Sequence, residues 1–172
     1  MSNFKVNVIG AESTGKSTLC TYLAEEFGLT LIPEYARDYC STIGRKIGVE
    51  DVIHIGNQQI QQYNNSILNV EHDRFIFDTS IITSMIWLND KFRTANLSFH
   101  DFFLKERFNV TLLCFPDIGW EEDILREDKG RQLEIHEQYI HYLDSNNKKY
   151  HLILGQGQKR NILAKKILDS YI

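Results

Sequence analysis

The sequence has little that would staple, anchor or hinge it. Its three cysteines, Cys20, Cys40 and Cys114, are odd in number, far apart and in no C-x-x-C pair. That excludes a disulfide framework and a thiolate metal knuckle, and leaves reduced packing residues. Only two prolines occur, Pro33 and Pro116, and there is no low-complexity tract, so one compact domain over residues 1–172 is expected, with no extended linker. No apolar run is long enough to span a bilayer. A glycine-rich motif begins within ten residues of the start, so neither a signal peptide nor a membrane anchor is expected, and the reading is cytoplasmic. Lys and Arg together number 19 against 23 Asp and Glu, for a net charge of −4. No basic excess marks a nucleic-acid or membrane partner. The six histidines show no metal-binding spacing such as H-E-x-x-H, so Mg²⁺ is the one metal expected.

What is present alternates. Apolar runs at 4–9, 29–32, 74–78, 110–115 and 150–154 are separated by segments with helical periodicity. Leu19, Leu23 and Phe27 recur every fourth residue, and Gly28 ends that pattern. Residues 35–70 read as two helical pieces, 80–92, 98–108 and 131–144 as further helices, and Leu163, Ala164, Ile167 and Leu168 as one face of a last helix. Strands separated by helices imply right-handed crossovers. The fold class is α/β: a P-loop NTPase fold, with a five-stranded parallel sheet, helices on both faces and a lid segment at about 117–131.

The first turn between strand and helix is Gly-x-x-x-x-Gly-Lys-Ser, from Gly10 to Ser17. Its glycines allow a tight loop whose backbone N–H groups face inward as an anion nest, and the helix start adds a positive dipole end. An ATP-binding loop is therefore expected at Gly10, Glu12, Ser13, Thr14, Gly15, Lys16, Ser17 and Thr18. In it Lys16 reaches the β- and γ-phosphates and the Ser17 hydroxyl ligates Mg²⁺. Glu12 is an acid inside an anion site, a conflict removed if its side chain points away from the nest.

Ligands of such sheets bind beyond the carboxyl ends of the strands. Three acids lie there: Glu34, Asp78 and Asp117. Asp78, after an apolar strand, reads as a Walker B acid holding Mg²⁺ directly or through water, or else as a helix N-cap beside Thr79 and Ser80. Glu34 reads as the general base for a hydroxyl acceptor, with Arg37 three residues on to orient it, or else as half of a surface ion pair. Between Asp117 and Asp128 stand six acids and one arginine, with Trp120 among them. Arg126, ahead of Arg131, reads as a lid arginine closing over the triphosphate. The Gly155–Asn161 turn offers Arg160 as a residue to stack on adenine, or is simply a helix start.

The ordered stretches GAESTGKSTL, PEYARDY, GNQQIQQY, FIFDTSIITS and GWEEDILR resemble the ribosylnicotinamide kinase domain of NadR-type NAD-biosynthesis proteins, over nearly the whole chain. The resemblance implies transfer of the γ-phosphate of ATP to the 5′-hydroxyl of nicotinamide riboside. It matches Gly15, Lys16 and Ser17 to the ATP–Mg²⁺ loop, and Glu34, Arg37 and Asp78 to the acceptor side. It further implies that Tyr63 lies against the nicotinamide ring, and that Trp120, Asp123 and Arg126 belong to the lid. Two departures fall on the acceptor side: Pro33 stands where the family often has tryptophan, and Ser80 where it often has aspartate. The adenylyltransferase and DNA-binding domains of larger relatives have no counterpart, so neither activity is expected. The other readings are a deoxynucleoside or other small-metabolite kinase, and a nucleotide-sensing ATPase with no acceptor.

Overall fold

The computed structural model describes residues 3–69, 71–119 and 128–172. The elements run β1 (Phe4–Ile9), α1 (Lys16–Phe27), β2 (Thr30–Ile32), α2 (Tyr35–Ile43), α3 (Val49–Leu68), β3 (Arg74–Asp78), α4 (Ile81–Phe92), α5 (Leu97–Lys105), β4 (Val110–Cys114), α6 (Gln132–Ser145), β5 (His151–Ile153) and α7 (Gln158–Leu168). The five strands form one parallel sheet in the order β2-β3-β1-β4-β5. β1 is central: the chain first goes out to the edge strand β2, returns to β3 beside β1, and then crosses to β4 and β5 on the other side. This reversal opens a crevice beyond the C-terminal ends of the middle strands. Register brings the acid of β3 there, since Val8 pairs with Asp78 across β1 and β3.

Side-chain alternation along the strands feeds two cores. Val6, Val8, Ile76 and Leu112 point to one face and pack with Leu19 and Leu23 of α1 and Ala164 and Leu168 of α7. Ile9 and Leu113 point to the other and meet Ile82, Ile86, Phe99, Phe103, Tyr139 and Leu143 from α4, α5 and α6. Nearly all of these side chains are fully buried, each worth about 1.5–3 kcal/mol against exposure. The helices on both faces thus follow from strands that are apolar on both sides. Among the described residues no helix is long and apolar enough to cross a membrane.

The largest differences from the sequence patterns are at the end of α5 and in β5, both shorter than expected. The helix expected over 98–108 stops at Lys105. There the backbone N–H of Arg107 donates to the Tyr63 hydroxyl at 2.7 Å, and the Lys148 ammonium donates to the Glu106 carbonyl at 3.0 Å. These bonds take the groups that another helical turn would use. β5 covers three residues rather than five, pairing only with Leu112–Cys114 of β4.

α3 crosses α5 at Gly56, where an added Cβ would lie 2.4 Å from two ring atoms of Phe99. Phe99 is itself buried in the core and has no free space to move into. Gly56→Ala is therefore expected to destabilise the protein by about 1–3 kcal/mol despite alanine's better helix propensity. Thermal unfolding checks this as a fall in Tm of several degrees.

Candidate active site

The phosphate loop runs from the end of β1 into α1. Gly10 (φ +145°) passes so close to β4 that a Cβ there would sit 2.8 Å from the Cys114 carbonyl oxygen. Gly15 takes the left-handed conformation (φ +71°) at the cap of α1. Both positions exclude side chains, which is why the motif needs glycine at each. Inside the loop the Ala11 carbonyl accepts from the Thr14 hydroxyl at 2.8 Å and from the Lys16 ammonium at 2.9 Å. Lys16 is thus folded back over its own loop, with its charge held where phosphate oxygens would compete for it. Ser17 and Thr18 begin α1 and are exposed.

A cavity of about 400 Å³ opens over this loop. Lys16, Ser17 and Thr18 form one wall, and Glu34, Arg37, Ala36, Cys40 and Trp87 form another. Glu34 begins α2 without making a side-chain cap bond. Its side chain is 18% exposed and lies 4.0 Å from the Arg37 guanidinium. Burial raises its pKa above the ordinary carboxylate value, against the opposing pull of the Lys16 charge. A carboxylate poised this way accepts a proton more readily than one in water.

Asp78 ends β3 and is 6% exposed. Its Oδ1 is buried without a hydrogen-bond partner. The cap of α4 is Ser80, not Asp78. Thr79 is held at φ +73°, a conformation costing a β-branched residue on the order of 1–3 kcal/mol. Three bonds hold this turn in place: the Thr79 N–H donates to the Val8 carbonyl at 3.0 Å, Gln59 Nε2 donates to the Thr79 hydroxyl at 3.3 Å, and Asn7 Nδ2 donates to the Ser80 hydroxyl at 3.0 Å. The Ser84 hydroxyl in turn orients Gln59, donating to Oε1 at 2.8 Å. An orphaned buried carboxylate oxygen is the kind of hard ligand Mg²⁺ takes, completed by the Ser17 hydroxyl, phosphate oxygens and water. The residues present fit that ion. Among the described residues no cluster of three His, Cys, Asp or Glu makes a further metal site.

Several residues sit elsewhere than the sequence suggests. Arg160, expected to stack on adenine, has a side chain only 3% exposed. Its guanidinium donates to the Gly155 carbonyl at 2.7 Å, the Phe115 carbonyl at 2.8 Å, the Asp117 carboxylate at 2.5 Å and the Thr14 carbonyl. A buried guanidinium must spend its donors this way. Arg160 therefore fastens the phosphate loop to the ends of β4 and β5, and Asp117, which also accepts from the Gly155 N–H at 2.6 Å, belongs to the same fastening. Arg160→Met leaves the part-buried Asp117 without its counter-charge, held only by the Gly155 N–H. It is expected to destabilise the fold by about 3 kcal/mol or more, read as a lowered Tm with weakened ATP affinity.

Tyr63, expected against the nicotinamide ring, is 7% exposed and packs edge-on against Phe102 and Phe108, each 5.4 Å away. Its hydroxyl is spent on Arg107, and it does not line the cavity. Arg131 starts α6 and is bound to Asp90 of α4 at 2.8 Å and to Glu134 at 2.7 Å, so it does not act as a lid arginine in this arrangement. Glu12 accepts from the Asp128 N–H at 3.2 Å, which ties the phosphate loop to the turn before α6. Trp120, Asp123 and Arg126 lie outside the described residues. Sequence reasoning missed Trp87, Gln59 and Asn7. Trp87 is the aromatic residue in the cavity wall, with the Lys91 ammonium 5.2 Å from its ring.

A family profile described as AAA domain matches residues 5–160. Among solved structures the fold is similar to that of NadR in complex with NR, with TM-score 0.83 and 21% identity over 98% of this chain and 50% of that one. NadR in complex with NAD and AMP-PNP gives 0.78 and 22% over 98% and 49%. Thymidylate kinase from Ehrlichia chaffeensis gives 0.68 and 11% over 99% of both chains. The chain spans about half the length of the NadR chains it matches. The P-loop fold and the likeness to NadR read from the motifs agree with these matches.

Proposed function

The chain belongs to the AAA domain family, and from that premise we propose that it is an ATP-dependent kinase phosphorylating the 5′-hydroxyl of nicotinamide riboside to give nicotinamide mononucleotide. The observation that carries the reading is one cavity holding both Lys16 of the phosphate loop and Glu34 with its raised pKa. A module that binds nucleotide without transferring phosphate has no use for a base across from its lysine.

In this mechanism the loop N–H groups and Lys16 hold the triphosphate, and the Lys16 charge offsets the negative charge on the β- and γ-phosphate oxygens. Mg²⁺, when bound by Ser17 and Asp78, supplies further neutralisation of the phosphates. Glu34 faces the acceptor hydroxyl and takes its proton as the oxygen attacks the γ-phosphorus. The bond to the β-phosphate oxygen breaks and ADP leaves. Arg37 orients Glu34 and the acceptor. Trp87 offers its ring to the acceptor's base, replacing the tryptophan that Pro33 displaces. Trp87→Ala is expected to raise KM for the riboside about fivefold with a small change in KM for ATP, as loss of an aromatic contact of roughly 1 kcal/mol predicts. Steady-state kinetics with each substrate varied in turn checks this. Thermal shift against a panel of ribosides and deoxynucleosides, with an ATP analogue present, tests the acceptor. Stabilisation by a deoxynucleoside and none by nicotinamide riboside would replace it.

A further inference from the structure

A second cavity, of about 590 Å³, lies near the N-terminal ends of β4 and β5 and is distinct from the phosphate-loop cavity. Its interior carries one buried acceptor with nothing to accept from, and a buried carboxyl. Asn7 is 2% exposed, lines this cavity, and leaves its Oδ1 without a partner. Glu106 is 5% exposed and lines the same space. The Lys148 ammonium lies close by, donating to the Glu106 backbone carbonyl at 3.0 Å and sitting 4.9 Å from the Phe103 ring. Burial raises the Glu106 carboxyl above the ordinary carboxylate value, against the opposing pull of the Lys148 charge. Unpaired polar groups this deep are unfavourable unless something pairs them. The aromatic rings of Phe103 and Phe108 form an apolar wall, and Arg107 and Lys149 are exposed at the rim.

We propose that this cavity is a second binding site, for a mononucleotide whose base carries an exocyclic amino group. The amino group meets Asn7 and Glu106, the flat base lies on the Phe103–Phe108 wall, and the phosphate rests at the rim by Lys149 and Arg107. The volume is within the range of small-ligand sites. The Asn7 acceptor in the interior, with Lys148, Arg107 and Lys149 also lining the cavity, fits a ligand with a donor at one end and an anion at the other. The other end of the same amide, Asn7 Nδ2, donates to Ser80, so the residue that lines this cavity also supports the turn after Asp78.

The test is calorimetric titration of AMP into the protein with the phosphate-loop cavity saturated by a non-hydrolysable ATP analogue. One-site binding is expected. Adenosine, without the phosphate, and purine riboside monophosphate, without the amino group, should each bind about tenfold or more weakly, as the loss of a charged or buried polar contact predicts. Glu106→Leu removes a buried carboxyl and should keep or raise Tm while weakening AMP about tenfold. Lys149→Ala, at an exposed site, should weaken AMP with no effect on folding. Absence of AMP binding at millimolar concentration overturns the proposal. So does binding that Glu106→Leu and Lys149→Ala leave unchanged, or equal affinity for the analogue lacking the amino group.

Discussion

Lys16→Ala is expected to lower turnover by at least two orders of magnitude in a protein that stays folded. Lys16 is half-buried at the start of α1 and donates its hydrogen bond to a loop carbonyl, not to a core residue. Its removal leaves the Thr14–Ala11 bond and the Arg160 fastening in place, so Tm should move little. What is lost is a charge positioned for phosphate oxygens. Removing one preorganised electrostatic donor costs about 3 kcal/mol or more of transition-state stabilisation, roughly a hundredfold or greater fall in kcat/KM. The measurement is steady-state kinetics beside circular dichroism. A folded Lys16→Ala protein with near wild-type activity would remove the phosphate loop from the mechanism.

Glu34→Gln is the second large effect. Glutamine keeps the size and the acceptor oxygen but cannot take a proton. General-base assistance is worth roughly 10²–10⁴-fold, and phosphoryl transfer through a loose transition state sits at the low end. Riboside phosphorylation should therefore slow about 10²-fold, while ATP binding and slow background hydrolysis change little. The wild type should also lose rate as pH falls, because the base must be ionised. With its pKa raised by burial, that acid limb should lie above the usual carboxylate range and vanish in Glu34→Gln. If the variant instead loses ATP–Mg²⁺ binding and keeps its acceptor affinity, Glu34 belongs to the metal shell and Asp78 becomes the base.

The parts of this site legible in sequence are those that local backbone geometry dictates. Gly10 and Gly15 stand where no side chain fits, and Glu34 and Asp78 follow apolar runs that had to be strands. Alternating strands and helices likewise foretold both faces of the sheet. What stayed hidden depends on long-range contact. Arg160 meets Thr14 across 146 positions, and an arginine in a glycine-rich turn gives no local sign of such a partner. Tyr63 sits on a helix whose buried face looks the same whether it meets a ligand or Phe102 and Phe108. Trp87 lies on α4, which is buried nearly all round, so no apolar stripe marks the face turned to the cavity. Arg131 carries the same charge in a lid or in a clamp on Asp90, and only the packing of α6 on α4 distinguishes the two.

ADP release from the purified protein, with ATP and Mg²⁺ present and nicotinamide riboside either added or withheld, tests the proposed activity most directly. The proposed kinase gives slow release without the riboside and a large increase with it, matched by equal formation of nicotinamide mononucleotide. The same slow release in both reactions, with no phosphorylated riboside formed, would contradict it.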